Sequence, residues 1–166
     1  MSSVRMHLDP RSSSVVMRTS SDMNRTLLRL GFVLVFLGLL TGLAVSRFAN
    51  PRLGLAAHTV GLLGGLFLVV LGVAAPAFEL GPRQAAVLRW CWVYAAYANW
   101  LASVLGAVTG ASRMTPLASS GTKGGEFAET IVAFLLASLS VAALFGTGLA
   151  VWALWRRQPA VVSRGQ

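Results

Sequence analysis

The sequence LGLAAHTVGLLGGLFLVVLGVAAPAF, residues 53–78, decides the fold class of this chain. It contains no aspartate, glutamate, lysine or arginine, and its single ionisable side chain is that of His58. About 20 predominantly apolar residues in a helix span the hydrocarbon core of a bilayer. The stretch therefore predicts a transmembrane helix that carries one histidine near its beginning.

Three further stretches, residues 30–45, 90–112 and 130–155, also lack these four charged residue types. The whole chain has 55% hydrophobic and 11% charged residues, with a mean hydropathy of +0.70. A soluble domain of 166 residues is far more polar than this. The sequence predicts an all-α integral membrane protein, a four-helix bundle with short loops and helices at about residues 27–47, 53–76, 84–110 and 127–155.

The segments outside the membrane domain, which we place at residues 25–157, are short. Residues 1–24 mix serine, arginine and methionine without periodicity, which predicts a disordered basic tail. Residues 158–166 form a short tail after the fourth helix. The sequence Asn50-Pro51-Arg52 predicts a tight turn, because proline cannot continue a helix, so the first two helices form an antiparallel hairpin.

The basic residues indicate the orientation of the helices. Ten of the 14 lie in the two terminal segments and the second loop, and four lie in the first and third loops. Because basic residues are enriched in cytoplasmic loops, we expect both termini to be cytoplasmic and the chain to be a multi-pass protein of the inner or plasma membrane. The net charge of +9 follows from this distribution, and we expect no nucleic-acid partner.

His58 is the first candidate site residue, since ionisable side chains at membrane depth are costly and call for a partner. Gly54, Gly61 and Gly65 fall on the same face of a helix as His58. One interpretation is a hydrogen bond from the imidazole to a neighbouring helix. The other is a haem ligand, with the three glycines leaving room beside His58 for a porphyrin plane.

Asn99 is the second candidate, because a buried amide must find hydrogen-bond partners. It either bridges helices or holds an oxygen or nitrogen of a substrate. It belongs to a stripe of small or polar residues that serves helix packing or the approach of a flat ligand. Three aromatic residues nearby, which either line a pocket or pack the bundle, are Tyr94, Tyr97 and Trp100.

The few acidic residues have simpler explanations. Glu126 and Glu129 stand at the start of the fourth helix, where carboxylates interact favourably with the helix dipole, so we predict that they cap it. The third loop, residues 111–127, is rich in Gly, Ser and Thr and is either a lid or a solvated connection. The sequence offers no phosphate-binding loop, zinc cluster or Ser-His-Asp set, which argues against nucleotide, zinc and conventional hydrolase chemistry.

Several polar motifs identify a family. The segment Asn50-Pro51-Arg52-Leu53-Gly54-Leu55-Ala56-Ala57-His58 resembles the hydroxylaminobenzene mutases. Tyr97-Ala98-Asn99-Trp100, Met114-Thr115-Pro116-Leu117-Ala118 and Glu129 are similar to the rest of that family in order and spacing. The resemblance spans about residues 27–157, and the mutases are similar in turn to the styrene oxide isomerases, which are four-helix membrane enzymes.

This resemblance implies a chemistry. His58 would bind haem b between protomers of a homo-oligomer, a trimer, and ferric iron would act as a Lewis acid on the oxygen of a small aromatic substrate. Asn99 would orient an N-hydroxyarylamine such as hydroxylaminobenzene, and the product would be a 2-aminophenol. The chain departs from its relatives at Gly64, Ala95 and Ser103, which leaves a non-catalytic haem-binding or structural membrane protein as the alternative. A transporter is disfavoured, because the four spans show no internal repeat.

Overall fold

The computed structural model describes residues 10–78, 80–111, 113–115 and 123–156, with side chains from Arg25 onward. It contains four long helices, α1 (Pro10–Ala44), α2 (Pro51–Ala74), α3 (Pro82–Thr109) and α4 (Glu126–Trp155), and the described residues form no strand. Short 3-10 turns, Val45–Arg47 and Ala75–Ala77, follow α1 and α2. Each helix includes a segment long and apolar enough to cross a membrane, which confirms the predicted four-helix membrane fold.

The beginning of α1 differs from the prediction. The helix begins at Pro10, within the segment for which we expected a disordered tail. Proline suits the first position of a helix, and residues 11–30 contain neither proline nor glycine, so nothing in the sequence interrupts the helix before the membrane segment. The rest of the predicted tail, residues 1–9, and the predicted carboxyl-terminal tail, residues 158–166, lie outside the described residues.

The turn between α1 and α2 is built as the sequence predicts. The buried Asn50 caps α2, and its side-chain oxygen accepts a hydrogen bond from the Leu53 N–H at 3.2 Å. Pro51 takes the first helical position, where its missing N–H costs nothing. The Asn50 N–H also donates to the Ala107 carbonyl at 3.0 Å, so the turn is fastened to the end of α3.

Glycine pairs bring α1 and α2 into backbone contact. A Cβ atom added at Gly65 would lie 2.6 Å from the Gly31 carbonyl oxygen, and one added at Gly61 would lie 2.8 Å from the Gly38 Cα atom. Both distances are shorter than real Cβ contacts allow, so any larger residue would push the helices apart. Small residues of this kind permit the close approach that drives helix association in a membrane.

The fourth helix is attached to the side of this core. It packs on α3, and the residues that it buries are few, namely Glu129, Val132, Gly146 and Ala153. Gly146 lies against Trp92 of α3, whose ring also contacts Phe67 of α2 at a centroid distance of 4.4 Å. Because α4 packs mainly on α3, one cavity remains between α2, α3 and α4, and a second hollow is lined by residues of α3 and by Leu135 of α4.

Candidate functional site

The imidazole of His58 is half-buried and is anchored to α1. Its Nδ1 lies 2.8 Å from the carbonyl oxygen of Gly38. A carbonyl oxygen can only accept, so in the neutral imidazole Nδ1 carries the proton and Nε2 carries the lone pair. The hydrogen bond to a neighbouring helix that the sequence suggested is therefore present. It leaves Nε2 available as a ligand atom, so the two interpretations of His58 are compatible.

Gly42 leaves the space in which the His58 imidazole lies, and it was not among the residues predicted from the sequence. A Cβ atom at Gly42 would lie 2.5 Å from His58 Nδ1 and 2.9 Å from Cε1. Any side chain there would displace the imidazole from the Gly38 carbonyl. The signal was Gly42's place one helical turn after Gly38 on α1, which puts both glycines on one face.

The glycines predicted to flank a cofactor have another role within the chain. Gly54 lies against the Phe48 ring, Gly61 against Gly38 and Trp100, and Gly65 against Gly31 and Val35. All three are buried in contacts of α2 with neighbouring residues of the same chain. Within one chain, Phe48 takes up the space beside Gly54, and α1 and Trp100 take up the space beside Gly61 and Gly65. That these glycines leave room for a porphyrin plane stays a prediction.

Asn99 lines a cavity of about 230 Å³ between α2, α3 and α4. Within the described residues its side-chain amide has no hydrogen-bond partner, while its backbone carbonyl accepts a bond from Ser103 at 2.9 Å. Two more polar residues, Ser103 and Thr115, line the cavity beside apolar ones. The remaining lining residues are Leu53, Ala56, Val60, Ala102, Gly106, Ala111, Val132 and Leu136.

The structure does not bring His58 and Asn99 into the same cavity of one chain. Ala56 and Val60, one turn apart on α2, line the cavity with Asn99. His58 lies midway between them in sequence, and two residues correspond to about 200° around a helix. His58 therefore faces α1, whereas Asn99 faces the cavity between α2, α3 and α4.

Glu129 lies in the first turn of α4, and its carboxylate binds backbone groups of the third loop. It is 6% exposed, and its two carboxylate oxygens accept hydrogen bonds from the Arg113 N–H at 2.8 Å and the Gly124 N–H at 3.2 Å. These donors precede and follow the middle of the third loop. The carboxylate therefore joins both ends of the loop to α4.

The aromatic residues of α3 act chiefly in packing. The Tyr97 hydroxyl donates to the Leu30 carbonyl at 2.9 Å, and the Trp100 Nε1–H donates to the Thr41 hydroxyl at 3.1 Å. Tyr94 and Ser138 are joined by a 2.6 Å hydrogen bond between their hydroxyls. These bonds fasten α3 to α1 and α4, and the same residues line the second hollow, of about 240 Å³.

The three positions at which we expect the chain to depart from its relatives lie in different surroundings. Gly64 faces Leu34 and Ala96, where an added Cβ atom would make ordinary contacts at 3.4 and 3.5 Å. Ala95 is buried on α3. Ser103 is the one of the three that lines the cavity beside Asn99.

Comparison with known proteins agrees with the motifs. Residues 23–155 match a family described as styrene oxide isomerase. Hydroxylaminobenzene mutase HabB of Ectopseudomonas oleovorans is 43% identical over 143 residues, which cover 86% of this chain and 87% of the relative. Hydroxylaminobenzene mutase HabA of the same organism is 39% identical over 110 residues, covering 66% and 82%. No solved structure matches the chain. The family expectation is confirmed, and the chain belongs to the styrene oxide isomerase family, together with the hydroxylaminobenzene mutases.

Proposed function

We propose that the chain is a membrane isomerase that rearranges N-hydroxyarylamines such as hydroxylaminobenzene to 2-aminophenols. The observation that carries this proposal is the 43% identity, over 86% of the chain, to a protein named hydroxylaminobenzene mutase. The matched region includes all four membrane-spanning helices and the residues around the cavity. The substrate is an apolar ring with one polar group. The cavity likewise combines apolar side chains with a few polar ones, among them Asn99.

The cavity suits such a substrate in size and chemistry. An apolar cavity of roughly 150 Å³ is enough to hold benzene, and this one measures about 230 Å³. The aliphatic side chains would hold the ring. The Asn99 amide can both donate and accept a hydrogen bond, so it can bind the N–OH group and fix its direction relative to the ring.

The reaction is balanced within one molecule. The N–O bond breaks, a C–O bond forms at the ortho carbon, that carbon loses its proton, and the nitrogen gains one. No external reductant or oxidant is needed. The role of the chain is to orient the N–OH group through Asn99 and to surround the ring with side chains such as Ala102 and Ala111, which are 1% and 0% exposed. Excluding water favours delivery of oxygen to the ring over capture by solvent.

His58 is the residue that we propose to hold haem b. Its geometry fits a proximal ligand, because a hydrogen bond from Nδ1 to a backbone carbonyl fixes the tautomer in which Nε2 binds the metal. Bound there, ferric haem would supply a Lewis acid for the substrate oxygen. Because His58 does not line the cavity of its own chain, the proposal includes an assembly of copies, a trimer, in which His58 of one copy serves the cavity of the next.

The test is conversion by membranes that contain the chain. Hydroxylaminobenzene is added without reductant and without air, and 2-aminophenol is quantified against membranes from cells that lack the protein. We expect 2-aminophenol to form only with the chain present. Unchanged substrate in membranes that hold the haem-loaded protein would favour the non-catalytic haem-binding alternative.

A further inference from the structure

One polar residue next to the cavity has no part in the chemistry proposed so far. Glu129 does not line the cavity, yet it lies on the cavity side of α4, because Val132 and Leu136, three and seven residues later, both line it. Its carboxylate is buried, and burying a charged group is costly unless hydrogen bonds compensate for it. The compensating donors include the backbone N–H groups of Arg113 and Gly124.

These two hydrogen bonds act on the wall of the cavity. Arg113 lies two residues from Ala111 and two from Thr115, and both of these line the cavity. Gly124 lies against Ala111 so closely that an added Cβ atom would be 2.8 Å from the Ala111 Cα atom. The Glu129 carboxylate therefore holds, at two points, the backbone that places Ala111 and Thr115 in the wall of the cavity that Asn99 also lines.

We propose that Glu129 is a positioning residue that sets the size of ring system that the cavity admits. It acts through Ala111 and Thr115 and does not touch the substrate. This inference rests on the proposed function for the identity of the substrate. It gives the buried carboxylate a role beyond the helix dipole, which the exposed Glu126 serves as well.

The central variant is Glu129→Gln. Glutamine keeps one acceptor oxygen, but its amide nitrogen would meet a backbone N–H donor in place of the second oxygen. One of the two anchors is lost while size and helix propensity are conserved. We expect the KM for hydroxylaminobenzene to rise roughly tenfold, as loss of one hydrogen bond to a charged group implies, with little change in kcat. The kcat/KM for a larger substrate, 1-hydroxylaminonaphthalene, should rise relative to the kcat/KM for hydroxylaminobenzene.

Glu126→Gln is the matched control. It removes a carboxylate from the same turn of α4 and has the same effect on the helix dipole, but the Glu126 side chain is exposed. We expect wild-type KM and kcat from it. Equal changes in the two variants would overturn the proposal, since they would indicate an effect of charge at the helix terminus. A fall in kcat with unchanged KM in Glu129→Gln would also overturn it.

A labelling experiment tests the wall position without turnover. In a Cys91→Ser background, Thr115→Cys places the only thiol on the cavity wall, and its reaction with N-ethylmaleimide is timed with and without aniline. We expect Glu129→Gln to speed labelling and to weaken protection by aniline, whereas Glu126→Gln does neither. Identical rates in all three backgrounds would overturn the proposal even if the protein turns over hydroxylaminobenzene. If the wild type does not turn it over, the proposed function fails, and the labelling still decides the role of Glu129.

A second variant, at Gly124, changes the same cavity wall through its contact with Ala111. Gly124→Ala leaves Glu129 unchanged but pushes a methyl group against the Ala111 backbone. We expect the same faster labelling of Thr115→Cys. This variant keeps the proposal open to refutation should Glu129→Gln fail to fold, because wild-type labelling in Gly124→Ala would show that the loop ends do not control the wall.

Discussion

At the scale of single residues, His58 and Asn99 differ in how their hydrogen-bonding capacity is used. The imidazole commits Nδ1 to the Gly38 carbonyl and keeps one lone pair. The side-chain amide of Asn99 makes no hydrogen bond to the described residues, so its donor and acceptor can both bind a molecule in the cavity. An anchored ligand atom and an uncommitted amide are the two parts that the proposed chemistry needs from the chain.

The role of His58 predicts a spectrum. Protein expressed with ample haem should show a Soret absorption band, and His58→Ala should remove it, because His58 is the only histidine among the residues that the structure describes. Thr59→Ala is the control, since the exposed Thr59 hydroxyl bonds to its own helix at Leu55. A colourless native protein, or a band that survives His58→Ala, would contradict the cofactor assignment.

The role of Asn99 predicts a kinetic loss. Asn99→Leu keeps the approximate size of the side chain but removes the donor and the acceptor that face the cavity. If the amide binds the N–OH group in the transition state, kcat/KM for hydroxylaminobenzene should fall about 10- to 100-fold. Thr147→Val, on the exposed side of α4, is a polar-to-apolar control that should keep wild-type values. An Asn99→Leu variant with wild-type kcat/KM would refute the assignment.

At the scale of elements, the contact between α1 and α2 determines where His58 can lie. Gly38 supplies the carbonyl that holds the imidazole, and it also receives Gly61 at backbone distance. Gly42 leaves the space that the ring occupies. The position of His58 therefore depends on the close contact of α1 and α2, and substitutions in that contact should displace the imidazole.

Two glycine substitutions test this contact. In a helix interior, Gly→Ala normally stabilises by about 1 kcal/mol. At Gly61 the added Cβ atom would meet the Gly38 backbone at 2.8 Å, and such overpacking costs about 1–3 kcal/mol. We expect Gly61→Ala to lower the Tm in detergent and Gly148→Ala, where nothing lies within 4 Å, to raise it slightly. Equal shifts for the two variants would mean that the α1–α2 contact is looser than described.

At the scale of the whole molecule, α1, α2 and α3 form a core and α4 is attached to α3, which leaves a cavity toward α2 that the third loop borders. Large apolar side chains cover the exterior, as a bilayer requires. The wall of the cavity is made by segments that meet near one end of the bundle, where Glu129 also binds the third loop. The arrangement combines a membrane fold with the small cavity that we propose to hold an aromatic substrate.

The orientation of the chain is a separate prediction. Ten of the 14 basic residues lie in the two terminal segments and the second loop, which predicts that this side faces the cytoplasm. A reporter that is active only in the cytoplasm, fused after Gln166, should be active, and one that is active only outside should be silent. The reverse pattern would contradict the predicted topology.

Much of this architecture could be predicted because membrane-spanning helices depend on local composition. The four spans, the Asn50-Pro51 turn and the family followed from apolar runs and a few polar motifs. The surroundings of the site could not be predicted in the same way. Spacing shows that Gly54, Gly61 and Gly65 share a face, but it does not show that Phe48 covers Gly54 or that α1 covers Gly61 and Gly65. Glu129 likewise looked like a cap, because its bonds to Arg113 and Gly124 depend on how the third loop returns to α4.

The most direct test of the central claim follows the oxygen atom. Hydroxylaminobenzene with ¹⁸O in its hydroxyl group is incubated in ordinary water with membranes that contain the chain, and the 2-aminophenol is examined by mass spectrometry. An isomerisation within a cavity that excludes water predicts that the product keeps the ¹⁸O. Product that carries oxygen from the solvent, or no product from haem-loaded membranes, would contradict the account.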